Sequence, residues 1–411
     1  MKRIVLDTRS NFFFRGIALD QNYDQRGGLC QVGEGDVVVT ANPIDPDYIN
    51  YWRETGFGIP HLLSIHSCVS DPECTLSELI INSTRVQQEI KCLAGSDARI
   101  ESCYIEETES RLSKVLEIPV YCNFDISISL SRKIPFKKLC KALSLKTPES
   151  FFSTDREEML REGKKFLKIW PSILIKANCG SGGICSGGMF KADTEDELEN
   201  AFISASKTGQ DFYLEKIIQD KMGEIAVHWE IDEGGKLMVI GIFDQISTNF
   251  GYGGVCYPSA IPEPVICFVR HQLTEQLAPY LIRQGAKGYF CADIIIDDQG
   301  IPNWIDFNPR KGAILYIRDM VRRISEKYYH SADCCFWHEH VEIPGNRKIT
   351  FSNIAEKIQD MLIPGKKPFV VITNPGVIPF GYVDITGISS ESKQQAFEFF
   401  KKARNRLIST D

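Results

Sequence analysis

Along the first 124 residues, short apolar runs alternate with stretches whose apolar residues recur at helical spacing. Strands are expected at 3–6, 36–40, 62–65, 99–105 and 119–122, and helices near 45–55, 75–93 and 107–116. Strand and helix taken in turn argue for a parallel α/β layer, because two parallel strands need a crossover that a helix supplies. From 125 the pattern changes. A connector leads to a helix at 135–145 and an amphipathic helix at 156–166. Strands at 172–175, 211–218, 225–231, 236–244 and 255–260 follow, then a helix at 268–284. The tail from about 324 reads strand, strand, helix at 367–373, 381–385 and 393–406, a small α+β appendage. The expected division is 1–124, 125–323 and 324–411.

Residues 289–311, YFCADIIIDDQGIPNWIDFNPRK, read as a hairpin that carries acids. Aromatic and β-branched residues run to Ile296, turn formers occupy 297–300, and 303–307 is apolar enough to return as a partner strand. Side chains alternate faces along a strand, so Asp306 and Asn308 share one face and Phe307 the other. A loop with an even number of residues, for example 298–301, brings Asp293 onto that face almost opposite Asp306. Two carboxylates and a carboxamide on a rigid face make a poor core and a good seat for a hard cation. Mg²⁺ suits it, since that ion takes one or two protein carboxylates and completes its shell with waters and phosphates. A solvated hairpin is the plainer alternative. Arg310, Lys311 and Gly312 directly beyond it favour an anionic, phosphate-like group.

A second stretch, PSILIKANCGSGGICSGGMF at 171–190, sets Lys176 at the end of a strand and follows it with five glycines between Asn178 and Gly188. Such a loop can bring backbone N–H groups against phosphate oxygens, with the lysine as a point charge. No G-K-[ST] closes it and no Rossmann spacing fits it. Farther on, Glu215 and Lys216 interrupt an apolar strand, and Glu224 opens the next.

Composition narrows the partners. The chain has 411 residues, 43% of them hydrophobic and 25% charged, with a net charge of −7. That length allows two or three domains, and the negative balance disfavours nucleic acid and anionic membranes. The N-terminus does not read as a signal peptide, and no uncharged apolar stretch approaches the about 18 residues of a membrane span. Fourteen cysteines lie scattered without a C-x-x-C pair, which reads as the reduced thiols of a cytoplasmic protein. Cys334, Cys335, His338 and His340 are metal-capable, but adjacent cysteines lack zinc spacing, so an irregular strand with exposed histidines is expected there.

Taken in order, an early lysine, a lysine followed by a glycine loop, an E-K-x-x segment with a second Glu, and a D…D-x-N-P-R hairpin resemble the ATP-grasp superfamily over 133–312. The resemblance implies an ATP-grasp fold preceded by a pre-ATP-grasp α/β domain, nearest in layout to bacterial amino-acid and peptide ligases. It implies that Lys133, Lys176 and the loop residues Gly180, Ser181, Gly182 and Gly183 contact the phosphates of ATP. The backbone of Glu215, Lys216, Ile217 and Ile218 would meet adenine, and Glu224 the ribose. Asp293, Asp306 and Asn308 would hold Mg²⁺, and Arg310 would steady the transferred phosphate or the substrate carboxylate. Many members carry Glu where this chain has Asp306, and the interval between Glu215 and Glu224 is long. The implied activity is ligation of a carboxylate to an amine through an acylphosphate, on small molecules such as amino acids or peptides. A kinase on the same scaffold and a non-catalytic ATP-binding module stay open, as does a homodimer.

Overall fold

The computed structural model describes residues 1–6, 28–65, 74–178, 188–206, 211–248, 250–331, 333–344, 349–363 and 367–409. They form two compact units. One comprises 1–121, 253–258 and 310–411, and the other 122–252 and 259–309. This differs from the three consecutive domains expected above.

In the first unit, β1 (Lys2–Leu6), β2 (Val37–Thr40), β3 (His61–Ser64) and β4 (Ala98–Ser102) make a parallel sheet of order β3-β2-β1-β4. Every residue of β2 is buried. A continuous run of β-branched residues is what a strand covered on both faces requires. The expected helix at 75–93 is two helices, Leu76–Ile81 and Thr84–Ala94, because Thr75 and Ser83 each cap a helix N-terminus. The expected strand at 119–122 reduces to single bridges, Ile100 to Val120 and Cys122 to Gly288.

The tail belongs to this same unit. β11 (Gly251–Tyr257), β14 (Cys335–Glu342), β15 (Phe369–Ile372) and β16 (Tyr382–Ser389) pair antiparallel in the order β11-β14-β16-β15. The helix Lys393–Ile408 packs on β16 so closely at Gly387 that a Cβ there would lie 2.2 Å from the Ala396 carbonyl oxygen. Tyr48, from the helix Pro46–Glu54, donates its hydroxyl to Ile372 O of β15 at 3.0 Å. Its ring meets Phe351 edge-on at 5.2 Å. These contacts bury the seam between tail and N-terminal layer, which no local pattern could announce.

The second unit holds two antiparallel sheets. The smaller, of order β5-β8-β6-β7, comprises β5 (Ser150–Phe151), β6 (Ile173–Ala177), β7 (Met189–Ala192) and β8 (Phe212–Lys216). The larger set runs β13-β12-β9-β10 through β9 (Lys221–Ile231), β10 (Leu237–Thr248), β12 (Gly288–Asp297) and β13 (Pro302–Asn308). One face of this sheet is core. Ile225, Val227, Trp229, Phe290, Ile294, Trp304 and Phe307 pack there against Phe136, Leu139 and Cys140 of the helix Lys133–Ala142. The helical run Glu263–Gln272, its π-helical continuation Leu273–Leu277 and Ala278–Arg283 close the same face. Among the described residues, no helix is long and apolar enough to cross a membrane.

Candidate functional site

The acid-bearing hairpin stands on an aromatic platform. Phe307 stacks on Phe136 at 5.2 Å, on Trp229 at 5.8 Å and on Phe290 at 5.9 Å. Trp304 donates its indole N–H to Gln272 Oε1 at 3.0 Å inside the core. With these rings held, the alternate residues of β12 and β13 project from the opposite face. Asp293 pairs directly with Asp306, and Cys291 with Asn308.

The register is reached by a route other than the expected one. Ile296 pairs with Pro302, so five residues, 297–301, make the connection, and Gly300 takes φ +77° in it. Asp297 Oδ1 accepts from the N–H groups of Gln299 and Ile301 at 3.2 and 2.8 Å and closes the turn. An odd connection alone would turn Asp293 and Asp306 to opposite faces. A β-bulge at Ile305 adds one residue to β13 and restores them to the same face.

The Asp293 carboxylate accepts from Gln245 Nε2 at 2.6 Å and from Asn308 Nδ2 at 3.3 Å. Asp306 accepts from the backbone N–H of Phe307 at 3.0 Å, and its other oxygen meets Lys133 Nζ. Lys133 opens its helix and is buried, so its ammonium is held on the acid face by a residue of the core-packed helix.

A second cluster lies in the smaller sheet. Lys176 on β6 and Glu215 on β8 are both buried, and Lys176 Nζ lies 2.9 Å from Glu215 Oε1. Lys137, one turn after Lys133, approaches Glu215 Oε2 at 2.5 Å. Two ammonium groups therefore share one carboxylate, with the Tyr213 ring 5.6 Å from Lys137 Nζ and 6.0 Å from Lys176 Nζ. Burial alone would push the Glu215 carboxyl up, yet Lys176 and Lys137 hold it down at about 2. Burial lowers the Lys176 ammonium, and Lys133 and Lys137 add to that; Glu215 and Asp306 pull the other way. Lys176 thus feels the charges of both clusters.

Lys137 and Gln245 were not among the expected residues. The Lys133-x-x-x-Lys137 spacing, which puts both on one helix face, was a usable signal. Nothing local singles out Gln245.

The other expected residues are distributed as follows. The ladder of β8 ends at Lys216, so Ile217 and Ile218 lie beyond it, and Ile217 is buried. Lys216 Nζ sits over the Trp170 ring at 5.4 Å. Glu224 on β9 accepts from Ser247 Oγ and pairs with Lys221. Gly180, Ser181, Gly182 and Gly183 lie outside the described residues. Arg310 belongs to the first unit, where its guanidinium sits 4.8 Å from the Tyr104 ring centre. Lys311, expected beside a phosphate, is buried in that unit and bonded to Gln31 Oε1 at 2.5 Å and Asp319 Oδ2 at 2.9 Å. The histidine stretch is a regular strand, β14, paired on both sides. His338 is buried against Thr386 Oγ1 at 2.8 Å, and the half-exposed His340 meets Asp384 Oδ1 at 2.5 Å.

Residues 28–118 match the family described as the Pre ATP-grasp domain. Over 120 residues the chain is 29% identical to a D-alanine–D-alanine ligase of Aliivibrio fischeri (strain MJ11). That stretch is 29% of this chain and 35% of the ligase, so the match spans about a third of the relative's length. In fold, the chain is similar to the biotin carboxylase of Campylobacter jejuni, solved as a βγ-ATP complex. The TM-score is 0.65 at 14% identity, over 99% of this chain and 91% of that one. It is also similar to the biotin carboxylase domain of the 2-oxoglutarate carboxylase of Hydrogenobacter thermophilus, solved with MgADP, ADP and bicarbonate. Here the TM-score is 0.61 at 16% identity, over 95% of this chain and 86% of that one.

Proposed function

We propose, from the premise that this chain is an ATP-grasp fold carrying a pre-ATP-grasp domain, that it is an ATP-dependent carboxylate-amine ligase. The observation that carries this reading is the pair of buried lysines, Lys137 and Lys176, on the single carboxylate of Glu215. Two buried cations on one anion leave a local positive excess, which burial makes costly and an incoming phosphate relieves. Lys133 extends the cationic surface towards the acids. Ile217 and Ile218 are the proposed seat of adenine, and Glu224 of the ribose.

The donor set on the hairpin fits Mg²⁺. Asp293 and Asp306 are directly paired, every group offered is oxygen or a side-chain amide, and Asn308 stands beside them on the same face. The three residues would hold the ion, and it would supply charge neutralisation at the phosphates of ATP. The lysines orient and neutralise the same phosphates, which is what phosphoryl transfer asks of a protein that offers no nucleophile. The substrate carboxylate takes the γ-phosphoryl group of ATP and releases ADP. An amine then displaces phosphate from the acylphosphate, losing a proton and forming the amide. The substrates are small molecules, amino acids or peptides on this reading.

The test is mass analysis of reactions with ATP and pairs of candidate carboxylates and amines, beside reactions without the amine. An amide with ADP and phosphate supports the ligase. A stable phosphorylated product means a kinase, and no product with any pair sinks both.

A further inference from the structure

Both oxygens of each hairpin acid meet donors of the protein: Oδ2 of Asp293 accepts at 3.3 Å from Nδ2 of Asn308, itself a proposed metal ligand, and Oδ2 of Asp306 meets Lys133 Nζ. Oδ1 of Asp293 accepts from Gln245 Nε2 at 2.6 Å and from the more distant Cys291 Sγ at 3.7 Å. Oδ1 of Asp306 accepts from its neighbour's backbone N–H at 3.0 Å. The backbone donor is fixed by the strand. The Gln245 donor is a side chain, and it reaches Asp293 from β10 across the whole width of β9. It can do so because Asp293 is paired with Ala226, whose other neighbour is Phe243 of β10, and the methyl of Ala226 leaves room above it.

We infer that Gln245 is a metal-selectivity residue that holds Asp293 to one metal-facing oxygen, so that the site takes Mg²⁺ and discriminates against Ca²⁺. The inference rests on the ligase reading above, since it takes Asp293 and Asp306 as metal ligands. Its physical basis is the different appetite of the two ions. Ca²⁺ gathers about six to eight oxygens in loose geometry and uses both oxygens of a carboxylate readily, whereas Mg²⁺ demands a near-octahedral shell and keeps waters. For Asp293 to chelate with both oxygens, it must turn away from Gln245 and give up a short charge-assisted hydrogen bond. Asp306 is restrained likewise by Phe307 N–H and by its length, one methylene shorter than Glu. Two single-oxygen acids at a fixed spacing leave open positions for waters and phosphate, which is the Mg²⁺ arrangement. Gln245 acts through Asp293 and is a positioning residue.

Metal binding read apart from turnover tests this. Mn²⁺ bound to the full chain with a non-hydrolysable ATP analogue is followed by electron paramagnetic resonance and displaced by Mg²⁺ or Ca²⁺. The wild-type protein is expected to release Mn²⁺ at lower Mg²⁺ than Ca²⁺. In Gln245→Leu the ratio of the two competing concentrations should shift towards Ca²⁺ by about tenfold or more, the usual reach of an outer-shell partner. Gln245→Asn, an amide too short to span β9, should shift it in the same direction and keeps the test valid if the leucine variant misfolds. An unchanged ratio, or equal weakening of both ions, overturns the selectivity role and leaves the ligase reading standing. A wild-type protein that binds no Mn²⁺ with the analogue overturns the two together.

Discussion

The two units each bury lysine among acids, and they do it with opposite arithmetic. In the first unit, Lys311 Nζ has Asp319 Oδ2 at 2.9 Å, Glu101 Oε2 at 3.6 Å, Gln31 Oε1 at 2.5 Å and the Tyr316 ring at 5.1 Å. One buried cation there is shared by two carboxylates and an amide, and the partly exposed Arg99 and Arg318 reach the same carboxylates from outside, at 2.9 Å to Glu101 and 3.6 Å to Asp319. In the second unit, Lys137 and Lys176 divide the single carboxylate of Glu215. All three lysines are buried to within a few per cent. Burial therefore does not separate them; the supply of negative charge does. An oversupplied lysine is a fastener, tying β4 and the helix Gly28–Gln31 to the helix Ala313–Ile324. An undersupplied pair is, on the ligase reading proposed above, a socket for an anion.

The largest effect should come from breaking the fastener. Lys311→Ala removes the buried cation between Asp319 and Glu101 and leaves them only the partly exposed Arg318 and Arg99, and unfolding stability should drop by about 3 kcal/mol. Denaturant melts measure it, and a loss under about 1 kcal/mol would show that Lys311 is not structural. Lys176→Ala should do the reverse: the fold survives, because Lys137 still neutralises Glu215, and turnover falls by on the order of 10²–10³-fold. Steady-state kinetics beside circular dichroism reads both quantities. Unchanged turnover removes Lys176 from the site and the contrast with it.

Asp306→Asn sharpens the comparison at the hairpin. It keeps the shape and removes a charge, so ATP turnover should fall steeply and be only partly rescued by excess Mg²⁺. Because Asp306 pairs with buried Lys133, the metal-free protein should also lose about 1.5–3 kcal/mol of stability. An Asp306→Asn protein with normal Mg²⁺ dependence would mean a merely solvated acid.

The mildest change is acid. Glu215 has its carboxyl depressed from 4.5 to about 2 by the two lysines. A depressed carboxyl contributes stability that is fully present above the unfolded value near 4.5 and is lost as pH falls towards 2. Acid titration of unfolding should therefore show a limb in that window, and Glu215→Gln should flatten it. A limb identical in the two proteins would mean that the lysines do not hold Glu215 ionised.

Much of this was legible in the chain and some was not. Alternation of apolar runs and helical spacing anticipated β1 to β4 as a parallel layer, and β12 and β13 as a hairpin. Lys176 next to an apolar run was legible too, but the strand does not leave the core there: β6 continues to Ala177 and Lys176 is buried within it. The split at Asn82 and Ser83 was available in principle, because Ser83 is a good N-cap, but amphipathic spacing continues through it and hides the break.

Strand alternation is a property of covalent geometry, so the sequence by itself determined that Asp306 and Asn308 share a face. It did not determine that Asp293 joins them. That needed a five-residue turn and a compensating bulge at Ile305, two irregularities that cancel. Nor could local pattern tell Lys311 from Lys176, each a lysine at the edge of a glycine-bearing segment. The partner that makes Lys311 a fastener, Gln31, lies 280 positions away along the chain. A buried charge is defined by what surrounds it, and only the tertiary structure decides which groups those are.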